Sequence, residues 1–355
     1  QFGVDGTNSA GDLGVASNVT YEHRNFFKGG ETFRVRLNAA YEFIRKTDEL
    51  NFLDNSYYEY GAEAFLSIPQ LILPWRLNRL RDQTSASTEY SAGINFQNRP
   101  EYLRQFFTLS SRFQWSSFDW KVQNVLEPVG ITYVRMPRTS ERFDSLYLSE
   151  EANPILRYSY DEQLIVRSAY NMTYTNYSQI GRRTMPTVPF RVRSGIEVAG
   201  WLPRIATSLG AGKRDETGRE TFFKIPYSEY VRGDFEIAPM YMFDDKNTIA
   251  ARLGIGVAYP FGNSIVLPFE KRYFGGGANS VRGWSTRTLG PGTYDRDSIG
   301  SDFGRRVGDV KLDFSVEYRR KMTRLIELAG FVEAGNIWTI KKYEEQPGGL
   351  FEWSK

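Results

Sequence analysis

The sequence contains no cysteine and only one histidine, His23. Without cysteine the chain has no disulfides, no thiolate metal sites and no cysteine nucleophile. One imidazole cannot build a multi-histidine metal site, so His23 is interpreted as a polar residue at a strand end. We therefore expect neither a metal nor any other cofactor.

An excess of charge of one sign is also lacking, since 45 basic and 42 acidic residues leave a net charge of +3. This balance provides no field for duplex nucleic acid, and no basic helix is apparent, so no nucleic-acid partner is expected. The chain has no G-x-S-x-G nucleophile elbow and no nucleotide-binding glycine motif. These absences predict a protein without enzymatic chemistry.

Long hydrophobic runs are missing as well. No apolar stretch approaches the roughly 18 residues of a transmembrane helix, and no signal peptide is recognisable. Because Gln1 already stands in strand-like sequence, we expect a fragment or a mature chain that is incomplete at both ends.

Aromatic residues, in contrast, are abundant: 25 Phe, 22 Tyr and 7 Trp make up 15% of the chain. Mean hydropathy is nevertheless low, at −0.47. Transmembrane β-barrels combine these properties, because aromatic girdles lie at both lipid–water interfaces while the lumen stays polar. The doublets Tyr57-Tyr58 and Phe106-Phe107 are expected to belong to such girdles.

Apolar and polar residues alternate along the chain with a period of two. Such alternation predicts strands with one apolar and one polar face. The predicted strands run to roughly 10 residues or more, enough to cross a bilayer at a tilt. The clearest apolar faces are Phe33, Val35, Leu37, Ala39 and Tyr41; Phe190, Val192, Ile196 and Val198; Ile249, Ala251, Leu253, Ile255, Val257 and Tyr259; and Val310, Leu312, Phe314, Val316 and Tyr318.

This pattern predicts thirteen strands, of which the first is only a tail. Tight turns are expected at Lys28-Gly29-Gly30, Asp244-Asp245-Lys246 and Arg320-Lys321, and long connections at 136–160, 201–226 and 262–308. The alternation of short and long connections is typical of outer-membrane barrels. The predicted strands are 1–7, 13–25, 31–44, 57–68, 86–97, 103–116, 118–135, 161–176, 187–200, 227–242, 247–261, 309–320 and 323–338.

The longest connection, 262–308, carries an unusual run from Phe269 to Gly292, FEKRYFGGGANSVRGWSTRTLGPG. Three consecutive glycines, Gly275 to Gly277, permit backbone geometries closed to other residues. An arginine and a large ring then flank Gly283. A merely solvated connection would not need this mixture.

These residues resemble the BamA/TamA family of outer-membrane assembly factors and its relatives in two-partner secretion. The family's G-G-x-x-S-V-R-G-[FYW] signature is matched here by Gly276, Gly277, Ser280, Val281, Arg282, Gly283 and Trp284. The resemblance implies that 262–308 is an extracellular loop folded back into the lumen, with Arg282 against the barrel wall.

The same resemblance implies an inward acid in each of the next two strands. VKLDFSVEYRR places the first at Glu317, and GFVEAGNIW places the second at Glu333, where the family usually has Asp. Strand parity supports both positions independently, since each acid belongs to the polar set of its strand. Two acids facing one arginine would hold the loop by charge-assisted hydrogen bonds.

A finer resemblance concerns the branch. The run Arg24-Asn25-Phe26-Phe27-Lys28-Gly29-Gly30-Glu31, after TNSAGDLG at 7–14, is similar to the TamA-like lipoprotein (TamL) branch of Bacteroidetes. The EPWLGG-type strand end of the essential BamA branch is not found.

The resemblance implies one bacterial outer-membrane barrel domain over 1–355, with about sixteen strands in the whole barrel and about thirteen in this chain. The implied function is insertion or export of other outer-membrane or surface proteins without nucleotide. The implied partners are the lipid bilayer, client proteins, and a periplasmic or inner-membrane protein bound through N-terminal POTRA domains. The alternatives are a two-partner-secretion transporter for a single secreted protein and a passive diffusion porin.

Overall fold

The structure, a computed structural model, describes residues 1–9, 12–43, 56–72, 86–99, 102–117, 120–145, 157–158, 160–177, 186–215, 218–294, 306–343 and 346–352. Thirteen strands pair in sequence order in one antiparallel sheet, which confirms the all-β prediction and its strand number. They are β1 (Phe2–Ser9), β2 (Asp12–Arg24), β3 (Thr32–Phe43), β4 (Ser56–Ile68), β5 (Ala86–Asn98), β6 (Tyr102–Ser117), β7 (Val122–Thr139), β8 (Gln163–Thr175), β9 (Phe190–Ala199), β13 (Tyr230–Met242), β14 (Asn247–Pro260), β15 (Val310–Lys321) and β16 (Glu327–Trp338).

A second sheet of three short strands lies between β9 and β13: β10 (Gly212–Arg214), β11 (Glu220–Phe222) and β12 (Ile225–Pro226). It follows a short helix, Trp201–Ala206, and a π-helical turn, Thr207–Ala211. The sequence analysis treated 201–226 as a plain connection, so this small folded segment was missed.

Two other short helical segments occur in connections. Ser140 caps a single helical turn, Glu141–Phe143, by accepting a hydrogen bond from the Phe143 amide at 3.2 Å. A 3₁₀ turn spans Phe269–Lys271. Among the described residues, no helix is both long and apolar enough to span a membrane.

The predicted tight turns are partly correct. Asp244 forms the β13–β14 turn by accepting hydrogen bonds from the amides of Lys246 and Asn247. The turn predicted at Arg320-Lys321 is wrong, because both residues continue β15 and Lys321 pairs with Glu327. That turn is instead made by residues 322–326, and Leu325 in it is 96% exposed.

The two faces of the strands differ as alternation predicts. Large residues on the predicted apolar faces remain exposed, namely Leu37, Ile196, Ile255 and Phe314. Ion pairs such as Arg36–Glu63 and Arg167–Glu127 lie on the opposite faces. An exposed apolar face beside a polar, ion-paired face is the pattern of a sheet that faces lipid on one side.

Neighbouring residues in a strand point to opposite faces, and this corrects the expectation for the aromatic doublets. Tyr58 and Phe107 are exposed on the apolar face. Tyr57 instead hydrogen-bonds to Glu59, and Phe106 lies beneath the Arg104 guanidinium. Only the second residue of each doublet therefore fits an aromatic girdle.

The chain groups into two compact units. The first comprises Gln1–Gln114, Leu126–Ser168 and Ala199–Glu229, and its most buried apolar cluster joins Leu164, Val166 and Tyr227. The second comprises Trp115–Val125, Ala169–Val198 and Tyr230–Lys355 and holds the glycine- and arginine-rich connection between β14 and β15.

Candidate functional site

The candidate site is the segment 262–294, which lies on the polar face of β14, β15 and β16 in the second unit. Residues 295–305 of the predicted 262–308 loop fall outside the described part of the chain. The segment leaves β14, crosses the polar face, and returns through an isolated bridge between Gly275 and Leu289. Arg282 stands at its tip.

Glycines make the tip possible. Gly276 and Gly277 have φ values of 87° and 92°, which are unfavourable for residues with a side chain. A Cβ on Gly276 would also lie 2.4 Å from the carbonyl oxygen of Ser285. The chain then turns through hydrogen bonds from the Gly277 amide to the Trp284 carbonyl at 2.8 Å and from the Trp284 amide to the Val281 carbonyl at 3.1 Å.

The structure brings Arg282, Glu317 and Glu333 together. Arg282 Nε donates to Glu333 Oε1 at 2.6 Å, and Nη2 donates to Glu317 Oε2 at 2.8 Å. The Arg282 backbone amide also donates to Glu333 Oε2 at 2.7 Å. Glu333 thus binds both the side chain and the backbone of the tip, so the glutamate at this position reaches the loop.

The ring of Phe331 completes this arrangement. The Arg282 guanidinium carbon lies 3.5 Å from the centroid of that ring, a cation–π contact. The side chains of Glu317 and Glu333 are 13% and 7% exposed, whereas that of Arg282 is 33% exposed. Hydrogen bonding to Glu317 raises the pKa of the Arg282 guanidinium.

The remaining motif residues have different surroundings. Ser280 is buried and donates to Asp313 Oδ1 at 2.8 Å. Val281 packs next to Gly335, where an added Cβ would approach it at 3.2 Å. Gly283 has open space where a Cβ would stand, and Trp284 is 42% exposed. Among the predicted residues, therefore, Trp284 does not join the cluster around Arg282.

Sequence reasoning missed a second attachment at the base of the segment. Arg272 Nε and Nη2 both donate to Asp309 Oδ1, at 3.2 and 3.1 Å. Both side chains are fully buried. The Asp309 carboxylate also accepts from the Ile340 amide at 3.1 Å. The FEKR run was visible in the sequence, but the pairing of its arginine with a residue 37 positions away was not.

Tyr273 forms a third attachment beside Arg272. Its hydroxyl donates to Asp234 Oδ1 at 2.8 Å and accepts from Arg232 Nε at 3.2 Å. Burial raises the pKa of this phenol, so the hydroxyl remains a donor. A Cβ on Gly256 would lie 2.5 Å from the Tyr273 ring, which explains a small residue at this position of the polar face of β14.

The arrangement attaches the connection mechanically to the strands. Two arginines and one tyrosine of one connection are bound to acids on β13, β15 and β16 and to Asp309, which directly precedes β15. Within the described residues no group of acids and histidine is placed to hold a metal ion.

The fold and this segment define a class of protein. Its strands are long and antiparallel, with an exposed apolar face suited to lipid. A connection is held across their polar face. The Omp85 superfamily domain matches residues 10–351, and the chain belongs to that superfamily. Proteins of this kind are β-barrels of the bacterial outer membrane, which is where this chain resides.

Individual relatives agree with this membership. The chain is 28% identical over 165 residues to the outer membrane protein assembly factor BamA of Neisseria meningitidis serogroup B. The matched region covers 41% of this chain and 20% of that protein. Its fold is similar to that of BamA from Haemophilus ducreyi lacking POTRA domains 1–3, with a TM-score of 0.57 and 16% identity.

That similarity covers 96% of this chain and 57% of the Haemophilus structure. CdiB from Acinetobacter baumannii matches with a TM-score of 0.44 and 10% identity, over 95% of this chain and 48% of that structure. The chain thus spans about one fifth of the length of the Neisseria protein and little more than half of the Haemophilus structure.

Proposed function

We propose that this chain is the barrel portion of an assembly or translocation factor, which inserts or exports other outer-membrane or surface proteins without nucleotide and without enzymatic chemistry. The observation that carries the proposal is the attachment of Arg282 to Glu317 and Glu333. A passive diffusion pore has no need of a connection tied across its polar face at three places.

In this proposal the polar face is lumenal and 262–308 folds from the outside into the lumen. The ion pairs of Arg282 with Glu317 and Glu333 then keep the loop fixed while client strands pair near the barrel. The driving free energy comes from strand pairing and from burial of apolar surface in lipid, because unpaired backbone groups in a bilayer cost several kcal/mol each. A periplasmic or inner-membrane partner binds through POTRA domains.

The TamL branch is part of the same proposal. It is supported by the run from Arg24 to Glu31, in which Glu31 accepts a hydrogen bond from the Gly29 amide at 2.9 Å and Asn25 accepts one from the Gly30 amide at 2.9 Å. These contacts give the RNFFKGGE run a defined turn between β2 and β3.

The test is complementation in cells depleted of the native protein. Arg282→Ala should lower the amounts of many mature outer-membrane and surface proteins several-fold, while the variant itself still reaches the membrane and shows heat-modified gel mobility. Arg282→Lys should be intermediate, because a lysine cannot bind two carboxylates in the planar way of a guanidinium.

Arg36→Ala is the matched control. Arg36 also lies on a polar strand face, but its partner Glu63 is 3.8 Å away and both side chains are about half exposed. Surface-protein levels should be unchanged in this variant. Normal levels with Arg282→Ala would reject the proposal, and loss of a single secreted protein would support a two-partner transporter instead.

A further inference from the structure

The segment 199–229 packs on the apolar face of β7 and β8, in the first unit. Leu164 and Val166 of β8 are buried against Tyr227. Ile131 and Tyr133 of β7, with Leu202, Phe222 and Ile225 of the segment, pack around them. The same face of the sheet elsewhere in this unit is open, since Phe107 and Leu109 are 38% and 54% exposed.

The covered and open areas are continuous. The ring of Tyr133, under the edge of the segment, stacks on the exposed ring of Phe107 with centroids 5.9 Å apart. Phe107 belongs to the face that meets lipid in an outer-membrane barrel. The segment 199–229 therefore lies directly beside the lipid-facing surface of the strands.

Polar contacts fix the segment in this position. Gly200 and Ser228 donate backbone hydrogen bonds to the carbonyls of Val166 and Leu164, at 2.9 and 3.0 Å. Arg204 binds the buried carboxylate of Glu229 at 2.8 Å. At the far end of the small sheet, Arg219 binds Asp161 at 3.0 Å. The segment is thus attached at both ends and along its inner side.

Its outer side carries an exposed apolar surface, which we call the rim patch: Trp201, Ile205, Leu209 and Phe223. These side chains are 41%, 51%, 82% and 79% exposed, respectively. The first three are spaced by four residues along the helix and the turn that follows it. Leu209 precedes Gly212 and Phe223 follows Phe222, so both belong to the end of the small sheet at which Gly212 pairs with Phe222.

The opposite end of the small sheet is polar. Arg214 pairs with Glu220, and the following turn is closed by Arg219 and Asp215. The small sheet, which is only three strands wide, therefore has one apolar end and one polar end. In water alone, placing Leu209 and Phe223 at an exposed tip would be unfavourable, and contiguous exposed apolar patches usually mark an interface.

We propose that the rim patch embeds in the lipid of the leaflet around the barrel and that segment 199–229 acts as an interfacial anchor of the strands it covers. The occupant is membrane lipid, because the segment that carries the patch covers Tyr133, whose ring stacks on the lipid-facing Phe107, and because Trp201 of the patch bonds to Ser168, which shares a strand face with Leu164 and Val166. This inference does not depend on the assembly function proposed above.

The side chains suit the polar–apolar boundary of a bilayer. Trp201 exposes much of its ring while its indole N–H donates to Ser168 Oγ at 2.9 Å, so no polar group is left unpaired in lipid. Lys224, next to Phe223, is exposed and can extend its ammonium group towards lipid phosphates. Amphipathic segments of this kind bind in the plane of the interface.

The absence of cysteine makes a direct test simple. Single cysteines are introduced as Leu209→Cys, Phe223→Cys and Arg214→Cys in the full chain and labelled with a nitroxide. The protein is reconstituted in phosphatidylethanolamine–phosphatidylglycerol vesicles. Electron paramagnetic resonance then compares collisions of each label with oxygen, which concentrates in lipid, and with a water-soluble nickel chelate.

Labels at 209 and 223 should collide more with oxygen and several-fold less with nickel than the label at 214, which is the matched control because Arg214 is exposed at the polar end of the same small sheet. Equal nickel collision at all three positions would overturn the proposal. A second result would also overturn the proposal: labels at 209 and 223 that are protected from nickel at high protein density but not in vesicles holding one chain each. The patch would then be covered by a second copy of the chain and not by lipid.

Discussion

Two long connections attach to strands in opposite ways: 199–229, which is described except at 216 and 217, and 262–294. The first packs apolar side chains, Leu202, Phe222 and Ile225, on an apolar strand face. The second binds through Tyr273 and Arg282 to acids on a polar strand face, and through Arg272 to Asp309 directly before β15. In each case the composition of the connection matches the face on which it lies.

This comparison separates two kinds of stabilisation. Apolar packing is non-directional and grows with the area removed from water. Charge-assisted hydrogen bonds depend on geometry, and a buried ion pair that loses one partner leaves a costly unpaired charge. The polar connection is therefore held at a few defined points, whereas the apolar one is held by a distributed contact. Variants in each should reveal this difference.

The largest effect is expected for Asp309→Ala. Arg272 and Asp309 are both fully buried, and removing the carboxylate leaves an unpaired guanidinium at the base of the polar connection. The loss should be roughly 3–5 kcal/mol, the range for a broken buried pair. Urea titration of the protein in detergent and protease sensitivity of 262–294 would measure it.

The double variant Arg272→Met with Asp309→Leu tests the cause. Replacing both charges by apolar residues of similar size should recover much of the loss, because no charge then remains buried. Arg36→Ala, in the half-exposed pair with Glu63, should cost less than about 1 kcal/mol. If Asp309→Ala is as mild as Arg36→Ala, the base of the connection is not held by this pair.

A smaller effect is expected for Leu164→Ala, which removes one side chain from beneath the apolar connection. The cost should be about 2–3 kcal/mol, at the low end for buried leucine, because the overlying segment can settle into the space. Protease cleavage within 199–229 should increase while cleavage within 262–294 stays unchanged. Leu109→Ala is the control, since Leu109 is exposed on the same strand face. An equal response in both variants would show that the segment does not depend on packing at Leu164.

The strands could be predicted from sequence because alternation is a local signal. The ends of β3 and β14 lie within one residue of their predicted ends, and both strands alternate without interruption. The turn predicted at Arg320-Lys321 was wrong because a local signal, a pair of charged residues, was misinterpreted. Charged residues were read as a turn, but they extend β15, whereas the real turn contains the apolar Leu325.

The candidate site was predictable only where a motif and strand parity pointed to the same residues, as for Arg282, Glu317 and Glu333. The pair Arg272–Asp309 joins positions 37 residues apart without such a pattern. Segment 199–229 was missed for a related reason. Helical spacing of its apolar residues extends only from Trp201 to Leu209, too short to stand out, and its other apolar residues become a core only when they meet Leu164 and Val166, more than thirty residues earlier in the chain.

The smallest expected effect is a pH dependence within the apolar connection. Tyr227 donates to Glu220 Oε2 at 2.7 Å, and this hydrogen bond lowers the pKa of the Glu220 carboxyl. A lowered folded-state pKa stabilises the segment above the ordinary value of about 4.3, and the contribution is lost as pH falls below it. Because the Glu220 side chain is 38% exposed, solvent screening keeps the effect below about 1 kcal/mol.

Protease cleavage within 199–229 should therefore be slightly faster at pH 3.5 than at pH 7, measured with an acid-active and a neutral protease calibrated on a peptide of the same sequence. Tyr227→Phe removes the donor and should shrink the difference. A pH response of the same size in Tyr227→Phe would assign it to another carboxyl and leave packing on Leu164 and Val166 as what holds this connection.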